Sequence, residues 1–347
     1  MPRWSPSRRE SRGPLGRAKP DGASAPRPPG GPAPGPDGGR GFFVPVPHTL
    51  TGTVHGTGGG IYRVALEGGA TVEATLRGRL KLEDRTGDRV VIGDRVRLAE
   101  VGDGYAIEAV EPREREIVRR TPGRQKAKVV AANLDTLVVV VAARDPEPRP
   151  ESIDRLLVIA EANGVVGVLA VNKVELPGAR EAAEELAGIY RPAGYPVHLV
   201  SARSGEGLAS FSDLLCRVSS ALVGPSGSGK SSLLNVIEPG LALRTGELSR
   251  VRRGRHTTVS SRLIALSCGG LVADTPGFSD VGLWDVPGER LEGCFPEFEP
   301  HLGSCRFRGC RHLKEPDCAV LSAVDEGTIA PSRYQSYRAL REESLAG

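Results

Sequence analysis

The chain has 347 residues, enough at roughly 100 to 200 residues per domain for two or three domains with a sizeable core. Hydrophobic residues make up 39% and charged residues 25%, with no apolar run near the ~20 residues of a membrane helix, which excludes a helical membrane protein. The net charge of +4 is uneven: residues 1–46 hold eight Arg/Lys against three Asp/Glu, a balance of +5, so the remaining chain carries −1 and its folded body is not broadly basic.

Residues 1–46 are rich in Pro and Gly, as in Pro28-Pro29-Gly30-Gly31-Pro32, and such a tract cannot pack a core. It lacks both the amphipathic stripe of a transit peptide and the apolar stretch of a secretory signal, so a disordered basic extension is expected. From Leu50 to about Arg115 the text alternates with period two in short runs beginning at Thr51, Tyr62, Thr71, Arg95 and Tyr105, separated by Gly-rich turns. Residues 47–115 therefore read as a five-stranded barrel of the OB type. Arg77, Arg79, Lys81 and Arg85 form the stripe best suited to phosphate contact there.

Strands and helices alternate over residues 116–286, predicting a doubly wound α/β domain. Strands are expected near 136–143, 165–171, 197–200 and 218–223, with helices near 153–162 and 179–189. Residues 287–347 carry Cys, His and charged residues and close with a helical pattern from Tyr334 to Leu345.

The segment Gly224-Pro225-Ser226-Gly227-Ser228-Gly229-Lys230-Ser231, followed by Ser232, fits G-x-x-x-x-G-K-S between an apolar strand and a helical pattern. Glycines let backbone amides turn toward phosphates, the helix N-terminus adds its dipole, Lys230 reaches the outer phosphates and Ser231 offers a hydroxyl to Mg²⁺. The base is read elsewhere. Asn172-Lys173-Val174-Glu175 at a strand end resembles the guanine-reading N-K-x-D of GTPases, with Glu175 one methylene longer than the usual Asp. Ser201-Ala202-Arg203 resembles the S-A-K loop that contacts the guanine carbonyl. Asp274-Thr275-Pro276-Gly277 resembles D-x-x-G, in which Asp274 would hold Mg²⁺ through water and the Gly277 amide would meet the γ-phosphate; an ordinary turn is the competing reading of this composition. Thr258, with Thr257 second, is the expected further hydroxyl for Mg²⁺. Ordinary GTPases place the phosphate loop first and N-K-x-D fourth, whereas here it comes third, so the predicted fold is a circularly permuted GTPase domain between the barrel and a C-terminal helical metal domain.

Cys305-x₄-Cys310-x-His312-x₅-Cys318 supplies three thiolates and an imidazole, a closed set suited to one structural zinc. The other cysteines, Cys216, Cys268 and Cys294, read as packing residues, and the overall usage suggests a reducing compartment.

Barrel, permuted motif order and C-x₄-C-x-H-x₅-C together resemble the ribosome small-subunit-dependent GTPase A family over about residues 47–345, with similar wording at 132–135, 153–155 and Gly254-Arg255-His256-Thr257-Thr258. The resemblance implies a cytoplasmic, monomeric GTPase binding GTP and GDP and docking on the small ribosomal subunit and its rRNA late in assembly, without a membrane partner. Phe278 stands where many GTPases have a water-orienting Gln; the resemblance instead assigns that role to His256, alongside Lys230 and Thr258 as catalytic groups. A P-loop ATPase or kinase, and an RNA adaptor with a vestigial nucleotide domain, are the alternatives carried forward.

Overall fold

In the computed structural model, residues 50–78, 80, 90–119, 128–241, 261–274, 286 and 288–346 are described. The basic extension and the stripe residues Arg79, Lys81 and Arg85 lie outside them, as do His256, Thr257, Thr258, Gly277 and Phe278.

Strands β1 (Leu50–Gly58), β2 (Ile61–Leu66), β3 (Thr71–Leu76), β4 (Arg95–Val101) and β5 (Gly104–Val110) make the N-terminal barrel. It closes because β1 pairs with β2 along one edge and with β4 along the other, Leu50 facing Leu98, while β3 and β5 run parallel. The alternating text produces this geometry: Val54, Val64, Ala74, Val96 and Ile107 are buried and form one apolar cluster, while exposed residues such as Arg63, Glu73 and Arg97 alternate with them. Gly52 is required on β1, since a Cβ there would lie 2.6 Å from the Ala65 carbonyl oxygen. Arg77 follows β3 and pairs with Glu108, so it does not stand free as a phosphate contact.

A hairpin of β6 (Glu116–Arg119) and β7 (Lys128–Ala132), not anticipated from the sequence, leads into the α/β domain. Its β-strands are β8 (Thr136–Ala142), β9 (Val166–Asn172), β10 (Val197–Leu199), β11 (Ser219–Val223), β12 (Ser261–Ala265) and β13 (Leu271–Asp274). Helices α1 (Pro150–Ala162), α2 (Ala179–Tyr190), α3 (Leu208–Leu215) and α4 (Lys230–Ile237) alternate with them. The order is β10-β9-β8-β11-β13-β12, continuing through β1 into the barrel strands. All neighbours up to β13 are parallel, and β12 is antiparallel to β13. Every residue of β8 is buried, as a strand covered on both faces must be. Two clusters, one including Leu137, Val139 and Val171 and the other Val138, Val140 and Phe211, fill the two sides.

Barrel and α/β sheet are continuous, because the end of β1 pairs with β12 at Gly56↔Arg262 and Thr57↔Ser261. A second tie lies at Asn133, whose Nδ2 donates to the Gly93 carbonyl at 3.0 Å and whose Oδ1 accepts from the Glu114 amide at 2.9 Å.

The C-terminal part comprises α5 (Gly288–Leu291), 3₁₀ turns at Glu292–Cys294 and Pro296–His301, α6 (Ala319–Asp325) and α7 (Pro331–Ala346). It is fastened to α1 by a buried cluster. Arg333 on α7 donates to Asp154 Oδ1 at 2.7 Å and to both carboxylate oxygens of Glu297 at 2.6 and 3.0 Å. The same guanidinium lies over the rings of Phe295, Tyr195 and Tyr190. Outside this core, Arg155 forks onto Glu343 at 2.6 and 3.0 Å. Among the described residues no helix is long and apolar enough to cross a membrane.

Candidate nucleotide and metal sites

Parallel strands β8, β9, β10, β11 and β13 end on one edge of the sheet, and the loops there carry the nucleotide motifs. Strand β11 runs out at Val223 into the phosphate loop, which opens α4 at Lys230. Two glycines of this loop are obligatory for steric reasons as well as for positive φ. At Gly224 (φ +135°) a Cβ would fall 2.1 Å from the Val140 carbonyl oxygen, and at Gly229 (φ +94°) it would fall 2.1 Å from Asn172 Nδ2. The loop is therefore packed directly onto β8 and onto the end of β9.

Asn172 is the meeting point. Its side chain is buried at 1% exposure, with Nδ2 donating to the Ser228 carbonyl at 2.9 Å and Oδ1 accepting from the Ala202 amide at 3.2 Å. Phosphate loop, N-K-x-E strand end and S-A-R loop are thus joined through one amide. The S-A-R loop is shaped from within: Ser201 is buried, and its Oγ accepts from the amides of Arg203 at 3.2 Å and Ser204 at 2.8 Å. Lys173 takes a positive φ of 66° and donates from Nζ to the Asp145 carbonyl, drawing the β8–α1 loop over the site. Pro146 of that loop lies 3.4 Å from where a Gly227 Cβ would stand.

Two polar atoms here are buried without a hydrogen-bond partner among the described residues, Glu175 Oε2 and Ser228 Oγ. Buried acceptors normally find donors, so both atoms are open to a partner that the described residues do not supply. Lys230 is 4% exposed, donates to the carbonyls of Gly224 at 2.7 Å and Pro225 at 2.9 Å, and is pulled down to about 8 by burial. Ser231 is buried beside it, and Ser232 follows on the first turn of α4. Asp274 ends β13 one residue beyond the Ala221↔Ala273 pair, at the same sheet edge as Gly224.

The second site is the C-terminal cluster. One ligand atom from each of Cys305, Cys310, His312 and Cys318 lies within 4.8 Å of all the others. Cys305 Sγ is 3.8 Å from Cys318 Sγ, and His312 Nδ1 is 3.3 and 3.6 Å from these two sulfurs. A tetrahedral ion with metal–sulfur bonds of about 2.3 Å requires a sulfur–sulfur edge of about 3.8 Å, so the set fits a four-coordinate metal. His312 has φ +56° and is held there by Tyr334, whose hydroxyl donates to the His312 carbonyl at 2.9 Å. Its Nε2 lies 3.3 Å from Glu292 Oε2, leaving Nδ1 to face the sulfurs. The sequence offered no sign of Glu292, which reaches the cluster from a 3₁₀ turn outside the Cys/His spacing.

One sequence expectation is overturned. Cys216 and Cys268 are not packing residues; they form a disulfide with Cα atoms 5.4 Å apart and a sequence separation of 52. The approach is created by Gly270, where a Cβ would sit 1.8 Å from the Leu215 carbonyl oxygen, and such a contact leaves no trace in residue spacing. Cys294, by contrast, is free and buried, as expected.

A phosphate loop served by parallel strands, with N-K-x-E and S-A-R preceding it in the chain and a strand-end Asp following, defines a circularly permuted P-loop GTPase carrying an N-terminal OB-like barrel and a C-terminal Cys/His cluster. More narrowly, the chain belongs to the RsgA GTPase family, which matches residues 110–284. The Small ribosomal subunit biogenesis GTPase RsgA of Gemmatimonas aurantiaca is 46% identical over 302 residues, covering 86% of this chain and 98% of that protein. The same-named protein of Moorella thermoacetica is 41% identical over 302 residues, again covering 86% of this chain and 98% of that protein. Among solved structures, YjeQ from Thermotoga maritima superposes with a TM-score of 0.72 at 33% identity, covering 86% of this chain and 99% of that one. YloQ, a circularly permuted GTPase, gives 0.69 at 30% identity, covering 86% and 96%.

Proposed function

We propose that this GTPase is a nucleotide switch in late maturation of the small ribosomal subunit, binding its rRNA and turning over GTP faster when docked. The observation that carries the nucleotide half is Asn172, which holds the phosphate loop and the S-A-R loop together; Glu175, three residues on in the chain, has a buried Oε2 with no partner among the described residues. In this reading the backbone of residues 224–229 and Lys230 cradle the β- and γ-phosphates, with Ser232 on the following turn. Asn172, Lys173, Glu175, Ser201 and Ala202 surround guanine, whose ring N1–H and exocyclic amine satisfy the orphan carboxylate. Adenine presents no such pair of donors. Burial that weakens the charge on Lys230 also strengthens its pairing with a phosphate once one enters, because the same low-dielectric setting amplifies opposite charges.

Ser231, Thr258 and Asp274 would hold Mg²⁺, which neutralises charge developing on the phosphate oxygens. Gly277 would donate its amide to the γ-phosphate, and His256 would orient the attacking water in place of the Gln that Phe278 displaces. With Phe278 in place of a water-orienting Gln, basal turnover should be slow without an activating partner, on the order of 10⁻⁴ to 10⁻² per second.

The metal is zinc in this reading: three thiolates with one imidazole suit it, and a closed set leaves no open position for chemistry. Phe307, 46% exposed within the metal loop, offers a ring face for stacking on an unpaired RNA base, with Arg308 beside it for the phosphates, while Arg306 lies over the ring and pairs with Asp317 at 2.9 Å. That supports rRNA docking through the metal domain at least as well as through the barrel, whose Arg77 is already engaged. The protein acts as a cytoplasmic monomer. GTP turnover measured with and without purified small subunits tests the whole reading: stimulation of tenfold or more is expected, and an unchanged rate removes the ribosomal half while leaving the GTPase half.

A further inference from the structure

The turn joining β12 to β13, Leu266–Gly270, is closed by Leu266 N donating to the Gly270 carbonyl at 2.8 Å and Gly269 N to the Leu266 carbonyl at 2.9 Å. Its position is unusual in what lies at the far ends of its two strands. Backward, β12 leads from Ser261 into the segment bearing His256 and Thr258; forward, β13 leads through Asp274 toward Gly277. The turn is therefore the common base of both predicted switch segments, and β12 is also the strand on which the barrel is hung.

This base is held on both sides of the β11–α4 unit that carries the phosphate loop. At the far end of α4, Glu238 Oε2 accepts from the Ser267 amide at 2.6 Å. At the near end of β11, Cys268 is bonded to Cys216, the residue that ends α3. Gly270 lies against the Leu215–Cys216 backbone with no room for a side chain, so the two cysteines are held in register by backbone packing and need no rearrangement to join. Cys268 is exposed and Cys216 half-buried, which allows reagents to reach the pair from the Cys268 side.

We propose that Cys216 and Cys268 are a thiol–disulfide exchange site that fixes the base of the switch hairpin against the phosphate-loop strand. The reaction partner is a small-molecule disulfide of the glutathione type. The Cys268 thiolate attacks one sulfur of that disulfide, releasing one thiol and leaving a mixed disulfide on Cys268. Cys216, as thiolate, then attacks the Cys268 sulfur and releases the second thiol. Two cysteine thiols are oxidised, one small disulfide is reduced to two thiols, and the two cysteine protons pass to the released thiolates. In the joined state β13 is pinned to β11 at its start, where Ser219 faces Leu271, so that Asp274 at its other end keeps a fixed height beside the phosphate loop. In the open state the Glu238–Ser267 bond, the Gly270 packing and strand pairing still hold the turn, without the covalent tie.

The consequence for nucleotide rests on the function proposed above; the chemistry of the pair does not. The test uses the full-length, metal-loaded chain equilibrated in buffers of graded reduced-to-oxidised glutathione, trapped by alkylation and mapped as peptides by mass spectrometry. A Cys216–Cys268 linked peptide that rises with the oxidised fraction is expected, together with a Tm about 5–10 °C higher in the joined state. GTP affinity, read with a fluorescent analogue, should be about fivefold tighter in the joined state. Cys268→Ser should hold both quantities at their reduced values in every buffer. Two free thiols under all conditions overturn the proposal, as does a linked peptide accompanied by unchanged Tm and unchanged affinity, or an oxidation response that survives in Cys268→Ser. Loss of nucleotide binding in both redox states would instead count against the proposed function, leaving the mapping and melting results to decide on the pair.

Discussion

Asn172 donates its side-chain amide to the backbone carbonyl of Ser228 across 56 residues of sequence, and this bond carries the permuted fold's central claim. In chain order the base-reading strand end precedes the phosphate loop, yet the two are in van der Waals contact through Gly229. Asn172→Ala leaves the Ser228 carbonyl and the Ala202 amide without their buried partner, at about 1–3 kcal/mol for such groups. GTP and GDP binding should weaken together by about 10–100-fold, with the far-ultraviolet circular dichroism unchanged. Isothermal titration checks it; full affinity in the variant would mean the amide does not organise the site.

Glu175 decides base selectivity if its unpartnered oxygen faces the ring donors of guanine. In Glu175→Gln the acceptor pair becomes one acceptor and one donor. GTP affinity should fall at least about 100-fold, while xanthosine triphosphate, which has a carbonyl where guanine has its amine, gains relative to it. Competition between the two triphosphates reads the switch directly, and an unchanged preference for guanine would place the base elsewhere.

Lys230 supplies a pH signature. Burial sets it near 8, below its ordinary 10.5, so between those values the unfolded chain binds more protons and the folded state gains stability as pH rises. Nucleotide binding runs the other way. Phosphates require the charged amine, so binding takes up a proton once the free amine is neutral. GTP affinity should be level below pH 8 and weaken about tenfold per unit above it. Titrations in buffers of different ionisation heat reveal the proton taken up. Lys230→Ala should bind weakly at every pH and show no such slope.

The parts legible in the sequence are those whose cause is local. Alternation gave the five barrel strands to within a few residues because each strand buries one face, and the burial of Val54, Val64 and Val96 follows it. The unbroken apolar run at β8 announced a central parallel strand, and the phosphate loop was readable because its glycines answer to backbone shape. Long-range pairing was hidden. Nothing in the text of 261–265 distinguishes β12 from a loop, since its partners are β13 and a barrel strand some two hundred residues earlier. Glu292 and Arg333 were equally silent, because a lone charged residue normally faces solvent and only its neighbours in space mark it as buried or ligand-supporting.

Arg333 is the strongest test of how the C-terminal part is fastened. It is fully buried with Asp154, and Glu297 completes the cluster. Arg333→Met removes the cation and leaves two carboxylates in an apolar setting, at about 3–5 kcal/mol. The Tm should drop by about 6–20 °C for a chain of this size. Burial pushes Asp154 up even with the guanidinium opposing it, so the variant should protonate it and recover part of the loss at acid pH. Adding Asp154→Asn and Glu297→Gln to Arg333→Met should recover stability at neutral pH. A variant no less stable than the parent would make the cluster dispensable.

Glu292 and His312 separate holding a metal from tuning it. His312→Ala deletes a ligand, and the metal content of the purified chain, measured by plasma mass spectrometry, should fall well below one ion per chain. Glu292 touches no sulfur; it meets the far nitrogen of the ring at 3.3 Å and fixes which nitrogen faces the cluster. Partners of this kind typically contribute 10–100-fold in affinity. Glu292→Gln should therefore purify with its ion but surrender it to a chelator at 10–100-fold lower concentration, keeping its melting curve while loaded. The identity of the ion is read in the same measurement, since a thiolate-rich tetrahedral set favours zinc over the hard divalent cations. If Glu292→Gln held its ion as tightly as the parent, the ring would be oriented by the Tyr334–His312 carbonyl bond alone, and Tyr334→Phe becomes the variant that must release the metal.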